Sequence, residues 1–413
     1  MFLQHSGTPT RAVILLFMVL LPLQSAQAQK EAAQDELEEI RLAFERIKSE
    51  ASGGASISNL DLDGLHFSSN PISEKVKGWP EDLVIAPVPG YSPQIGWNLK
   101  LAAGYFLDSR DEESTSPASI IGGAAMISDN GSSAYGAGTY LHLLDDKLRI
   151  QFGGLYADVR YTYYVNDVLG SGRDVSIDLN QDGPLFFTKA TWRVWKRLYV
   201  GLGYLFGSVD TQILWQPEWL PDLPPDFIPN IDLQLGAFIL PFEIDSRDHE
   251  HFPRSGWKID GSVKLYRESA GSDFDAGVYQ VFFNRYWPMR DNDALAARLV
   301  LKSSDGDAPF FLLSSFGGSK DLRGYPAGRY RDNKMYAVQT EYRWHFSDRW
   351  IFTGFAGFGE VAENVKGFGK DLLPAVGVGA RFVLSKKHRI SLSTDIGTGI
   401  DGTEFYFGIG EAF

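Results

Sequence analysis

The sequence contains no cysteine, which excludes a disulfide framework and thiolate chemistry. A cationic surplus is also missing. Lys and Arg number 39 against 52 Asp and Glu, a formal net charge of −13. A surface of that sign does not suit a phosphate backbone, so no nucleic-acid partner is expected. Beyond the first thirty residues there is no apolar run of the roughly 20 residues that a membrane-crossing helix needs. Histidine is sparse, at 7 residues, and no Gly-x-Ser-x-Gly nucleophile elbow occurs. Neither an enzyme constellation nor a cofactor is expected.

What is present begins with an export signal. Arg11 precedes an apolar run from Ala12 to Leu23. Ser25-Ala26-Gln27-Ala28-Gln29 then places small residues where a signal peptidase reads. A signal peptide over 1–28 is expected. Residues 29–81 read as a helix and a linker. Leu37, Ile40, Phe44 and Ile47 make one apolar stripe over 30–54, a short solvated helix or one that pairs with a partner or with a copy of itself.

From Asp82 to Phe413 the polarity alternates in stretches of 8–14 residues separated by Gly, Asn, Asp, Pro and Ser. A period of two marks strands with unlike faces. Tyr336, Val338, Thr340, Tyr342, Trp344 and Phe346 share one face; Met335, Ala337, Gln339, Glu341, Arg343 and His345 share the other. Sixteen candidate strands can be counted, the first near 94–108, the eleventh near 309–316, the twelfth near 335–346 and the last at 403–413. The stretch 161–183 holds an extra strand pair or a long turn. In the last strand Phe405, Phe407, Ile409 and Phe413 share an apolar face interrupted by Glu411, expected at the rim, where a charge costs about 0–1 kcal/mol. The fold class expected is all-β: a sixteen-stranded antiparallel transmembrane β-barrel over 82–413, with outer-membrane lipid around it. The aromatic end resembles the C-terminal recognition signal of outer-membrane barrels, which implies the barrel-assembly machinery as a partner during insertion.

Three segments resemble the BamA/TamA family of outer-membrane proteins. The first is Asp245-Ser246-Arg247 followed by Pro253 and Gly256. The second is Leu322-Arg323-Gly324-Tyr325, between the eleventh and twelfth strands. The third is Ala375 to Phe382 followed by Arg389 to Gly397. The resemblance implies a bacterial outer-membrane location, a loop folded into the lumen, and a role in assembling or translocating proteins or lipids. An Arg at such a loop tip calls for a carboxylate, and Glu341, on the lumen face of the next strand, is the expected partner. Two departures stand out. Gly357 occupies the place of an acid that many members use to receive the loop arginine. Residues 29–81 are too short for the periplasmic receiving modules, so a barrel-only member is expected. The alternatives are a passive or plugged pore, with Glu341, Arg343, Arg381, Arg389 and Asp395 along a water path, and a structural surface barrel.

Two ligand-like motifs fail. Asp248-His249-Glu250-His251 reads as a charged turn in preference to a metal site. Asp178 to Gly183 starts like a calcium loop, but Lys189 stands where the bidentate Glu belongs. No metal site is expected. The Gly-x-Gly pairs at 201/203, 377/379, 397/399 and 408/410 fall in strands and read as small residues that leave space on one face.

Overall fold

Alternating polarity gives a strand one face for lipid and one for a lumen, and most of the described residues are built this way. The computed structural model describes residues 82–107, 117–165, 175–215, 232–249, 252–290, 292–385 and 390–413. The expected signal, helix and linker lie outside these residues, as do Glu250, His251 and Arg389. Among the described residues there are eighteen strands: β1 (Leu83–Ser92), β2 (Gly96–Leu107), β3 (Ser119–Ser128), β4 (Ser133–Leu143), β5 (Leu148–Val165), β6 (Val175–Trp195), β7 (Leu198–Trp215), β8 (Asp232–Asp245), β9 (Gly256–Tyr266), β10 (Ala276–Pro288), β11 (Ala294–Gly306), β12 (Ser314–Ser315), β13 (Arg331–Asp332), β14 (Lys334–His345), β15 (Trp350–Ala362), β16 (Leu373–Ser385), β17 (Ile390–Thr398) and β18 (Thr403–Ile409). All but β12 and β13 close into one antiparallel barrel of sixteen strands.

The faces follow residue parity. Along β14, Met335, Ala337, Gln339, Glu341 and Arg343 are buried inside, while Thr340, Tyr342 and Trp344 are exposed outside. The outer wall is apolar, with Ile127, Leu202 and Val378 each more than 60% exposed. Such a wall is stable against hydrocarbon, not water. We call the end where β1 begins and β18 ends the terminal mouth, and the opposite end, where loop 307–333 enters, the loop mouth.

The count of sixteen agrees with the sequence reading, but two strands exchange places. The expected strand at 309–316 is not in the barrel. Pro309 leads a 3-10 turn, Phe310–Leu312, and Ser314–Ser315 pairs with Arg331–Asp332 in a two-stranded ribbon. That segment is a continuous apolar run, whose periodicity does not distinguish a strand from a buried plug. The barrel strand absent from the sequence reading is β1. Its Pro87 and Pro89 argue against an interior strand, yet β1 lies at the seam. In 161–183, β5 continues to Val165 and β6 starts at Val175, so the stretch lengthens one hairpin.

Strand length varies around the wall. β6 has 21 residues, and β5 and β7 have 18 each, roughly twice the 9–11 residues that a tilted strand needs to span a bilayer. β18 has 7. The seam between β1 and β18 is paired at one position among the described residues, Tyr91 opposite Phe407. The reason is local. Phe106 donates its N–H to the Asp82 carbonyl at 2.9 Å within the β1–β2 register. Backbone groups alternate sides along a strand, so Pro87, Pro89 and Tyr91 face β18, and the two prolines bring no N–H to it. An aromatic clasp lies over the seam, with ring centroids 5.4 Å apart for Tyr91 and Phe405 and 6.0 Å for Trp97 and Phe407.

The lumen is filled from the loop mouth. Phe310 and Phe311 join an apolar body formed with Leu179, Leu205, Leu233, Leu235 and Phe274. Deeper, Phe316, Leu322 and Tyr325 pack against Met335, Ala337, Leu373 and Ala375.

Candidate functional site: a closed ring of charges in the lumen

Loop 307–333 brings Arg323 into the lumen, where it is fully buried. An unpaired guanidinium there would cost several kcal/mol, and the strands around it supply what it needs. Arg323 Nη2 donates to Glu341 Oε2 at 2.6 Å and Nη1 to Asp395 Oδ2 at 3.0 Å. Its backbone N–H donates to Gln339 Oε1 at 3.1 Å. The guanidinium lies 3.6 Å from the Phe355 ring centroid.

Neither carboxylate belongs to Arg323 alone. Glu341 Oε1 accepts from Arg343 Nε at 2.8 Å, and Asp395 Oδ1 accepts from Arg381 Nη1 at 2.8 Å. Glu411 joins the other two arginines, 3.2 Å from Arg381 Nε and 3.4 Å from Arg343 Nε. The six side chains therefore form a ring of alternating sign: Arg323, Glu341, Arg343, Glu411, Arg381, Asp395 and back to Arg323. Each charge touches at least two opposite ones, Arg381 Nη2 and Glu341 Oε2 also meet across the ring at 3.7 Å, and three positive charges balance three negative.

Backbone shape seats the loop tip. Gly324 has φ +114° and lies against Thr398 and Gly399 of the β17–β18 hairpin, a conformation natural to glycine. Gly357 and Gly359 of β15 leave a notch for Leu322. A methyl on Gly357 would come within 2.9 Å of Leu322 Cδ1, and one on Gly359 within 3.2 Å of Cδ2. Leu322 thus fills the space at the position where the acid was missing. Gly397 and Gly399 form a second notch, against the backbone of Gly324 and the ring of Tyr325. The Tyr325 hydroxyl donates to the Pro374 carbonyl at 2.6 Å. Higher in the plug, Asp321 accepts from Lys302 Nζ at 2.7 Å and Arg298 Nη2 at 3.2 Å. Burial pushes its pKa up, but these two cations more than offset that and hold it at about 2.

The mid-barrel motif around Asp245 and Arg247 closes on the ring from the terminal mouth. Arg247 Nη2 lies 2.7 Å from Asp245 Oδ2. Gly256, at φ +97°, packs on Ser246 and Arg247. Pro253 is buried, and its carbonyl is 3.5 Å from Arg343 Nη1. His249 Nδ1 accepts from the Phe252 amide at 3.2 Å. Asp178 and Asp182 lie within β6 and accept from Thr162 and Tyr156.

The expected C-terminal face is corrected. β18 stops at Ile409 because Gly410 turns at φ +88° and donates its N–H to the Ser391 carbonyl. Phe405 and Phe407 lie in the clasp at the seam. Phe413 does not share their face: its ring centroid is 5.8 Å from the Arg343 guanidinium, and its carbonyl accepts from Arg343 Nη2 at 2.7 Å. Glu411, expected at the rim, belongs to the ring. Tyr406, Gln339 and Phe355 also went unread as site residues, although parity alone puts Tyr406 and Gln339 on the lumen side. Arg343, Arg381 and Asp395, which the pore alternative places along a water path, are locked in ion pairs.

A closed sixteen-stranded antiparallel barrel with an apolar outer wall and a loop-filled lumen defines the class of outer-membrane β-barrels. Within that class, residues 232–413 match the Omp85 superfamily domain. Among solved structures it is similar to BamA from Haemophilus ducreyi lacking POTRA domains 1–3, at 16% identity and a TM-score of 0.54, over 79% of this chain and 70% of that one. It is also similar to CdiB from Acinetobacter baumannii, at 12% identity and a TM-score of 0.51, over 79% of this chain and 59% of that one. CdiB from Escherichia coli gives 12% identity and a TM-score of 0.54, over 81% and 63%. The chain thus spans about three-fifths of each CdiB chain. At these identities the likeness is one of fold. No curated protein matches the sequence.

Proposed function

We propose that this barrel assembles or translocates proteins at the outer membrane, with its terminal mouth facing the periplasm and the β1–β18 seam as its working element. The observation that carries the reading is the seam itself, paired at Tyr91 and Phe407 alone among the described residues, while its neighbours β1–β2 and β17–β18 are paired along their lengths. A strand edge with so few ladder bonds is the easiest place to part the wall and to offer an edge to another strand. The match of residues 232–413 to the Omp85 superfamily domain supports the reading, as does the filled lumen, which disfavours a steady water path.

The test is a disulfide across the seam, made by Tyr91→Cys with Phe407→Cys. In cells depleted of the native protein, the oxidised variant is expected to leave the outer-membrane proteome deficient, and a reductant to restore it. Full restoration by the oxidised, locked barrel would overturn the reading.

A further inference from the structure

A second feature lies outside the lumen, at the rim of the terminal mouth. A cleft of about 480 Å³ is lined by Arg290, Asn292, Asp293, Tyr342, Trp344 and His345. It forms where the β10–β11 turn meets the last residues of β14. Asp293 organises it. Its Oδ2 accepts from the Tyr342 hydroxyl at 2.6 Å, and its Oδ1 accepts from the His345 amide at 2.8 Å. Both oxygens of this buried carboxylate are therefore engaged. Arg254 Nη1 donates to Asn292 Oδ1 at 3.2 Å. Arg290 is exposed, and its guanidinium forms no hydrogen bond or ion pair among the described residues. Arg254 acts on Asp293 through its charge, and Arg290 lines the cleft beside that carboxylate.

The other wall is aromatic. Tyr342 and Trp344 point outward and are exposed. The aromatic surface continues from Trp344 to Phe346 at 5.3 Å and to Phe352 at 6.0 Å, measured between ring centroids. The cleft therefore stands where the apolar outer wall ends, with cations on its aqueous side and rings on its hydrocarbon side. Trp and Tyr rings favour that level of a membrane. A guanidinium there offers a planar fork that fits two phosphate oxygens, in surroundings of lower dielectric than water.

We propose that this cleft binds the phosphodiester head group of a phospholipid, with Arg290 pairing the phosphate and Tyr342 and Trp344 flanking the glycerol and the first carbons of an acyl chain. Placing the lipid in the periplasmic leaflet rests on the orientation proposed above. The binding itself does not, and it is measured without reference to any assembly activity.

The test uses the full chain in detergent, titrated with phosphatidylglycerol and read by native mass spectrometry. Arg290→Gln is expected to lower the bound fraction at least about tenfold, and Arg290→Lys to restore part of it. Trp344→Ala, on the opposite wall, is expected to weaken binding independently of Arg290. Arg349→Gln is the control: it removes an exposed arginine from the β14–β15 turn on the same rim, and binding should stay within about twofold. Equal loss in the Arg349 variant would show a general charge effect and overturn the site. So would unchanged binding in both the Arg290→Gln and Trp344→Ala variants. Displacement of the lipid by an equal concentration of soluble glycerol phosphate would show a free-phosphate site and overturn the lipid assignment.

Discussion

The hydroxyl of Tyr406 lies 3.1 Å from the amide nitrogen of Gly324 and accepts its hydrogen, while donating to the carbonyl of Tyr325 at 3.3 Å. The last strand of the barrel is thereby hydrogen-bonded to the tip of the loop in the lumen. Glu411, just past the end of that strand, is tied to Arg343 and Arg381. β18 is laddered to β17 on one side and has little pairing with β1 on the other, and these lumen contacts add to its hold from the inside. One strand of the seam is thus bonded directly to the plug.

Tyr406→Phe removes both hydrogen bonds and leaves the Gly324 amide buried without its partner, at a cost of about 1–3 kcal/mol. The expected result is faster cleavage of loop 307–333 by trypsin, at Lys320, in a barrel that still migrates as folded on an unheated gel. A cleavage rate equal to that of the wild type would show that the tyrosine does not hold the tip.

Glu341→Ala takes one carboxylate out of the ring and leaves Arg323 and Arg343 short of charge. Breaking a buried pair in this way typically costs about 3–5 kcal/mol, so this variant is expected to loosen the loop more than Tyr406→Phe. In planar bilayers the wild type should show rare, brief openings and the variant longer ones. Identical traces would separate the ring from the closure of the lumen.

Gly357→Asp puts an acid at the position where the family pattern has one. It is not expected to strengthen the anchor, because the new side chain meets Leu322 and the Val338 carbonyl. Overpacking of this kind costs about 1–3 kcal/mol. Lower urea resistance and a more accessible loop are expected; a gain in resistance would mean that Leu322 yields and that the introduced carboxylate pairs with Arg323.

Asp321 sets an acid limit on the plug. Its folded pKa of about 2 lies below the ordinary aspartate value of about 3.9. A carboxylate with a depressed folded pKa contributes stability that is fully present above the unfolded pKa and lost as pH falls through the folded one. The contribution is about 2 kcal/mol and should disappear between about pH 4 and pH 2. Pepsin cleavage of the loop should rise over that window in the wild type and be pH-independent in Asp321→Asn, apart from the activity of the protease itself.

Much of the fold was legible in the sequence alone. Parity separated the two faces of β14 residue by residue, because a strand has a strict period of two and one face must meet lipid. Parity also put Glu341 on the side that Arg323 reaches. The errors fell where local pattern and tertiary position disagree. Pro87 and Pro89 hid β1, since prolines are unfavourable in a strand with two full neighbours and tolerable only at an edge or seam. Phe310 to Leu313 imitated a barrel strand, since a short apolar run reads alike in a wall and in a plug.

The sequence by itself determined that the chain makes two-faced strands, where most of them lie, and which side chains must face inward. Only the tertiary structure decided which inward charges meet. Arg323, Glu341, Arg343, Arg381, Asp395 and Glu411 come from a loop, three strands and a turned tail. Closing the wall brings them together, and in a lumen with little water each must find an opposite charge. Glu411 shows the difference most plainly. Its parity assigned it to the outward face and its charge to the rim, and a single left-handed glycine at 410 turned it into the ring.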